Sequence, residues 1–304
     1  MANVQTGAWA LYPLCILLAA LLAVGLFGLA RRRGGAAGHA VPAWQMAVLV
    51  PLASFVGARL LYVLFSFDVF LYDYGLAAVF DPRAGGCLMA GAVAGACLCA
   101  ALLARRAHAP VGATLDELVV PGLAALALCR LAEVFTGEGI GSVVEREAFC
   151  FFPLAAANQY GEWNLAVFVY EAVAALAILI AAARMKARAP GERFTTALLL
   201  LCCCQIPLEN LRSDNCLRIG FVRVTQIFAA LAVLSIVLLR ARPRGRRAMG
   251  RGALAVLLCA AGIGVIEWAQ DKTNIPNAAL YAAMIALCVV MALCARQAPD
   301  RRDT

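Results

Sequence analysis

The chain has 304 residues, 64% of them hydrophobic and only 14% charged, with a formal net charge of +8. Such a balance excludes an ordinary soluble domain. The absence of sustained period-2 alternation excludes a membrane barrel. What remains is an all-α, polytopic helical membrane protein.

Nine apolar runs follow one another, at residues 8–30, 43–66, 86–104, 116–135, 164–183, 195–212, 222–239, 252–268 and 277–295. Each is long enough for one helical crossing. The first is expected to persist as a span and not to be cleaved. Met1 to Ala8 carry no positive charge, and Arg31, Arg32 and Arg33 follow the apolar run instead of preceding it. Trp9, Tyr12, Trp44, Trp163 and Trp268 fall near span ends, where amphipathic rings favour the membrane interface.

Alternate connections carry most of the 26 basic residues: Arg31 to Arg33, Arg105 and Arg106, Arg184 to Arg193, Arg240 to Arg251, and the tail from Arg296. The opposite connections carry Asp68, Asp73, Asp81, Glu138, Glu145, Glu147 and Glu162, with Asp271. The positive-inside bias then predicts an outside N-terminus and a cytoplasmic C-terminus. The net positive charge reads as an anchor for anionic membrane lipids and not as a nucleic-acid footprint. Residues 67–85 and 136–163 are the long outer connections, the second expected as a cap or lid. The tail after Gln297 is expected to be disordered.

Most of the 13 cysteines lie within spans, where Cys acts as a small apolar residue. Their spacings imply no metal or cluster site. Cys150 and Cys216 fall on outer connections, where a disulfide is chemically allowed. Both histidines, His39 and His108, sit beside basic clusters on the cytoplasmic side, so chemistry in the outer half proceeds without an imidazole.

Among the charged residues inside the spans are Arg59, Arg130, Glu133, Glu171, Glu209 and Arg212. Ionisable groups in hydrocarbon are costly and mark functional sites. All six are expected at similar depth. Arg130 and Glu133 are three apart, as are Glu209 and Arg212, hence expected as neighbours on one helical face. Pro207 should disturb the sixth span just before that pair. A guanidinium matches phosphate geometry and stays charged when buried, so Arg59 and Arg130 suit a phospholipid headgroup. Carboxylates would hold the guanidinium groups or act as a base, and desolvation of Glu133 favours proton abstraction. Gly91 and Gly95 have the spacing of a helix-packing motif.

Taken together, these segments resemble the prolipoprotein diacylglyceryl transferases, over roughly residues 45–240. Gly57-Ala58-Arg59 with Tyr62 is similar to one family segment, and Gly85-Gly86 with Gly91 to another. Arg130 with Gly137-Glu138 and Gly141 is similar to the family signature; Tyr170-Glu171 matches its Tyr-Glu pair. Glu209 and Arg212, followed by Leu217, Gly220-Phe221 and Thr225-Gln226, match a further stretch.

The resemblance implies transfer of a diacylglyceryl group from phosphatidylglycerol to the lipobox cysteine of a prolipoprotein, without a cofactor, in the bacterial plasma membrane. It implies catalytic roles for Arg130, on the phosphate, and Glu209; Glu133, which departs from the family, is expected as a catalytic base from its own chemistry. Arg59, Tyr62, Glu138, Gly141, Tyr170, Glu171 and Arg212 would bind substrate. Residues 1–240 would form the transferase-like core and 241–304 an added helical hairpin and tail.

This chain departs from the family at several places. Ala90 stands where the family has His, Gln205 where it has Arg, Leu201 where it has Tyr, and Glu133 where it has Asn. Ala166-Val167-Phe168 replace a Pro-Ser-Gln run. Glu133 is the expected substitute for the missing base. A related protein that binds lipid with another acceptor, or without catalysis, is the alternative; a transporter is the third reading. The segment Glu267 to Lys272 is expected as an outer loop.

Overall fold

The computed structural model describes residues 11–33, 41–80, 86–158, 160–213, 217–220, 222–273 and 275–296. Among them are nine helices long and apolar enough to cross a membrane. They are α1 (Leu11–Arg33), α2 (Ala43–Phe65), α3 (Met89–Arg106), α4 (Val111–Ala132), α5 (Val167–Arg184), α6 (Glu192–Leu211), α7 (Val224–Ala241), α8 (Arg246–Lys272) and α9 (Asn277–Arg296). The sheet content is two small antiparallel pairs, β1 (Ala155–Ala157) with β2 (Trp163–Leu165) and β3 (Arg218–Ile219) with β4 (Val222–Arg223). The residues before Leu11, the tail after Gln297, His39, Asp81, Gly85, Cys216 and Phe221 entered the sequence reading and lie outside the described residues.

The expected spans agree with the helices to within a few residues, except the eighth. Hydropathy places that span at 252–268, whereas α8 begins at Arg246, just after Gly245 (φ 88°), and runs on to Lys272. The segment from Glu267 to Lys272 is therefore helix and not an outer loop. Hydropathy registers where apolar residues stop; the backbone hydrogen-bond ladder continues through polar residues that are good helix formers.

The chain divides into two compact units. Among the described residues, one comprises those within 11–132 and 179–194; the other comprises those within 133–178 and 195–296.

In the first unit, α2 and α3 meet backbone to backbone. A Cβ on Gly57 would collide with the Gly91 carbonyl, and one on Gly95 with the Ala53 carbonyl. Lipid supplies no hydrophobic drive between helices, so small residues that permit this approach hold the pair together. Helix α1 is tied to α4 by Arg31, whose Nη2 and Nε donate to Glu117 Oε2 at 2.8 and 3.0 Å. Asp116, also on α4, accepts from the Gly191 and Phe194 backbone N–H groups at 2.8 and 2.7 Å. It satisfies donors at the start of α6 that no helical carbonyl can reach.

In the second unit, α6, α7, α8 and α9 share one apolar core. It contains Leu199 and Ile206, Val233 and Val237, Val256 and Ile263, and Met284 and Met291. Cys202, Cys203, Cys259 and Cys288 belong to the same core, as expected of apolar packing residues. At one end of this bundle Arg240 donates to the hydroxyls of Thr195 and Thr196 (2.9 and 2.7 Å) and to the Ala295 carbonyl (3.2 Å).

The 136–163 connection, expected as a cap or lid, is tied down by backbone pairing. Gly141 N donates to Leu165 O (2.8 Å), Leu165 N to Ser142 O (3.0 Å) and Phe168 N to Gly139 O (2.8 Å). On its other edge Gly141 bridges to Arg212. This is the frame that carries the site.

Candidate active site

Buried acid and guanidinium groups converge in the second unit. Arg212, one residue beyond α6, places Nη1 at 3.5 Å from Glu171 Oε2 on α5. The same nitrogen lies 3.9 Å from Glu133 Oε2. Glu171 Oε1 accepts from Gln205 Nε2 at 2.6 Å, and that nitrogen also donates to Glu209 Oε2 at 3.1 Å. Glu209 Oε1 faces Arg223 Nη1 at 4.0 Å. Arg223 Nη2 donates to the Arg212 carbonyl. Glu133, Glu171, Gln205, Glu209 and Arg223 are each at most 8% exposed. Buried charges persist only where they are paired, and here the pairing runs continuously from Glu133 to Arg223.

Local backbone explains each placement. Helix α4 ends at Ala132, and Glu133 opens a 3-10 turn through Phe135. Glu133 thus stands three residues after Arg130, where the α-helix gives way to the tighter turn. Gly137 (φ 72°) and Gly139 (φ 69°) then reverse the chain in a backbone region that other residues rarely adopt. A Cβ on Gly139 would strike the Glu133 carboxylate. Pro207 lies inside α6 and cannot donate to the carbonyl four residues earlier. Helix α6 stops at Leu211, and Arg212 N reaches back to Glu209 O at 3.2 Å. The Glu209 and Arg212 side chains consequently take different partners instead of each other.

The remaining expected residues fall as follows. The Tyr170 hydroxyl donates to Leu154 O at 2.5 Å, fastening α5 to the start of the hairpin. Gly141 sits between Leu165 and the end of α6, where Asn164 Nδ2 also reaches its carbonyl at 3.2 Å. Glu138 is exposed on the turn between the two positive-φ glycines.

In the first unit, Arg59 is 8% exposed. It donates to Ala78 O (2.8 Å), Gly86 O (3.0 Å) and Val79 O (3.1 Å). Its guanidinium also lies 5.1 Å from the Phe70 ring centroid. Tyr62 packs edge-on against Phe70, and a Cβ on Gly86 would enter the Tyr62 ring. Arg59 and Tyr62 thereby fasten Phe70, Ala78, Val79 and Gly86 to α2 as one assembly. Arg130 is half-buried, with Nη2 3.6 Å from Met89 Sδ.

Arg223 and Glu267 are buried charges that the sequence analysis gives no site role, and Gln226 enters it only as part of a family stretch. Gln226 Nε2 donates to Glu267 Oε1 on α8 and to Ile206 O at 3.2 Å. Glu267 was assigned to a loop because it ends an apolar run. Its position one helical stretch inside Lys272 was the available signal. Among the described residues no group of three or more His, Cys, Asp or Glu side chains is arranged to hold a metal ion.

Apolar helices around a buried carboxylate–guanidinium network define a multi-pass membrane protein with an internal polar site. The chain matches the sequence profile of the prolipoprotein diacylglyceryl transferases over residues 3–241, and it belongs to that family. Curated relatives named phosphatidylglycerol–prolipoprotein diacylglyceryl transferase agree. One from Bacillus cereus is 28% identical over 250 residues, 79% of this chain and 90% of the relative. One from Synechococcus elongatus is 26% identical over 234 residues, 73% and 79% respectively. One from Clostridium botulinum is 25% identical over 187 residues, 60% and 72%. The match takes in α1 through α7, while α8 and α9 follow it.

Proposed function

We propose that this protein transfers the diacylglyceryl group of phosphatidylglycerol to the lipobox cysteine of a prolipoprotein, in a bacterial plasma membrane, with its N-terminus outside. The cysteine sulfur attacks the glycerol carbon bonded to the phosphodiester oxygen. A C–S bond forms, that C–O bond breaks, and glycerol phosphate leaves with the electron pair.

Two tasks fall to the protein: neutralising charge on the departing phosphate and accepting the thiol proton. Arg130 takes the phosphate role that the family signature assigns to it. Glu133 accepts the thiol proton in place of the missing imidazole. Glu209 and Glu171 hold Arg212 and Arg223 in a water-poor setting, where guanidinium groups act on an anion with little screening. Gly141 and Tyr170 fix the backbone on which these groups stand. Arg59 and Tyr62 serve substrate binding by holding Phe70, Ala78, Val79 and Gly86 in place, and Glu138 serves it from the signature turn.

The observation that supports this reading best is the buried contact of Arg212 with both Glu133 and Glu171, in a chain of this family. The test is direct. Purified protein receives labelled phosphatidylglycerol and a lipobox peptide; the expected result is a thioether-linked diacylglyceryl peptide with one glycerol phosphate released per peptide. Lipid binding without any thioether product would refute the transferase and leave the lipid-binding alternative.

A further inference from the structure

The helices beyond the family match are not confined to apolar packing. We propose that Glu267, on α8, is a positioning residue for the transferase site, acting through Gln226 on Arg223; the inference rests on the transferase reading above.

Glu267 is 7% exposed and Gln226 is 4% exposed. A carboxylate buried in a helix that spans lipid is costly, so its retention needs a partner that makes use of it. That partner is the Gln226 amide nitrogen, which donates to Glu267 Oε1. An ionised carboxylate can only accept hydrogen bonds, whereas an amide has one accepting and one donating end. Glu267 and the Ile206 carbonyl, both acceptors only, set the Gln226 amide with its nitrogen toward them and its oxygen toward the start of α7. With that orientation set, Gln226 Oε1 accepts from the Arg223 backbone N–H at 3.1 Å. The bond fixes the first turn of α7, and with it the guanidinium that stands 4.0 Å from Glu209 Oε1.

The same hairpin braces the residue next to Glu209. Gln270 Oε1 accepts from Asn210 Nδ2 at 2.8 Å, and the Tyr281 hydroxyl donates to Asn210 O at 3.4 Å. Polar contacts from α8 and α9 thus reach both α6 and α7 beside the acidic pair Glu171 and Glu209. Packing alone is already served by Val256, Ile263, Met284 and Met291, so these contacts act on the site.

The experiment is a double-mutant cycle on kcat and KM, with Glu267→Leu, Gln226→Leu and the double variant, and with Glu267→Gln as the conservative change. Each single variant should lower kcat about 10- to 100-fold while KM for phosphatidylglycerol stays within about threefold. The double variant should be no slower than either single, since both break one relay. Glu267→Gln should recover to within about threefold of the parent, because a side-chain carbonyl can still face the Gln226 nitrogen. Parental kcat in Glu267→Leu, losses that multiply in the double variant, or a slowing that Glu267→Gln leaves unrelieved would each overturn the relay. A parent protein that makes no thioether product refutes the transferase itself, and the relay with it. That outcome is read before any variant is compared.

Discussion

Replacing Arg212 with Met removes the cation between two buried carboxylates while keeping an unbranched side chain. Glu171 is 2% and Glu133 10% exposed at the side chain, with Arg212 at 10%, so water cannot take over. Stranding a buried charge by deleting its partner costs about 3–5 kcal/mol. At roughly 2–4 °C per kcal/mol for a chain of this size class, the melting midpoint in detergent should fall by about 10 °C. A second change separates electrostatics from volume. Glu171→Gln in the Arg212→Met background removes one stranded charge yet keeps an oxygen that can accept from Gln205. It should restore about half of the loss, on the order of 2 kcal/mol. Differential scanning fluorimetry on the purified set measures all of this. An Arg212→Met protein that melts with the parent, or a Glu171→Gln change that lowers the midpoint further, would refute the reasoning that Arg212 neutralises this cluster.

Glu133→Gln keeps the size and the hydrogen-bonding capacity of the side chain but removes the proposed base; thioether formation should drop by about 10²–10⁴-fold, and a fully active variant would rule Glu133 out. Arg59→Leu leaves the carbonyls of Ala78, Val79 and Gly86 without their guanidinium. Each such bond is worth about 1.5–3 kcal/mol, so amide exchange at residues 76–80 and 86–88 should quicken markedly, and unchanged protection there would contradict the clamp. Gly95→Val drives a branched side chain into the Ala53 carbonyl; overpacking of about 1–3 kcal/mol or more should show as a lower melting midpoint and loss of folded material on size exclusion.

The polar site was only partly legible in the chain. Glu133, Glu171, Glu209 and Arg212 stand out because a charge inside an apolar run is rare, and they do converge. Arg223 and Glu267 were hidden for the opposite reason. Each lies at the edge of an apolar run, where a charge is ordinary, and only burial reveals that neither faces water. The pairings were also illegible. Spacing suggested that Glu209 and Arg212 face each other, but α6 ends between them, and their side chains part toward Arg223 and Glu171. Arg59, a phosphate candidate by type and depth, donates to three backbone carbonyls of the connection that follows its own helix.

What the amino-acid sequence settled by itself is the class of fold: nine apolar helices, their order, a packing role for Gly91 and Gly95, and membership of the family. These follow from length, hydropathy and side-chain size, which are local properties. Tertiary structure alone decided which acid meets which base, that the 136–163 connection is stitched to α5 and to the end of α6, and that α8 brings a carboxylate to α7. Hydropathy sets how deep a residue lies but not how its helix is rotated. A few tens of degrees of rotation suffices to exchange one partner for another.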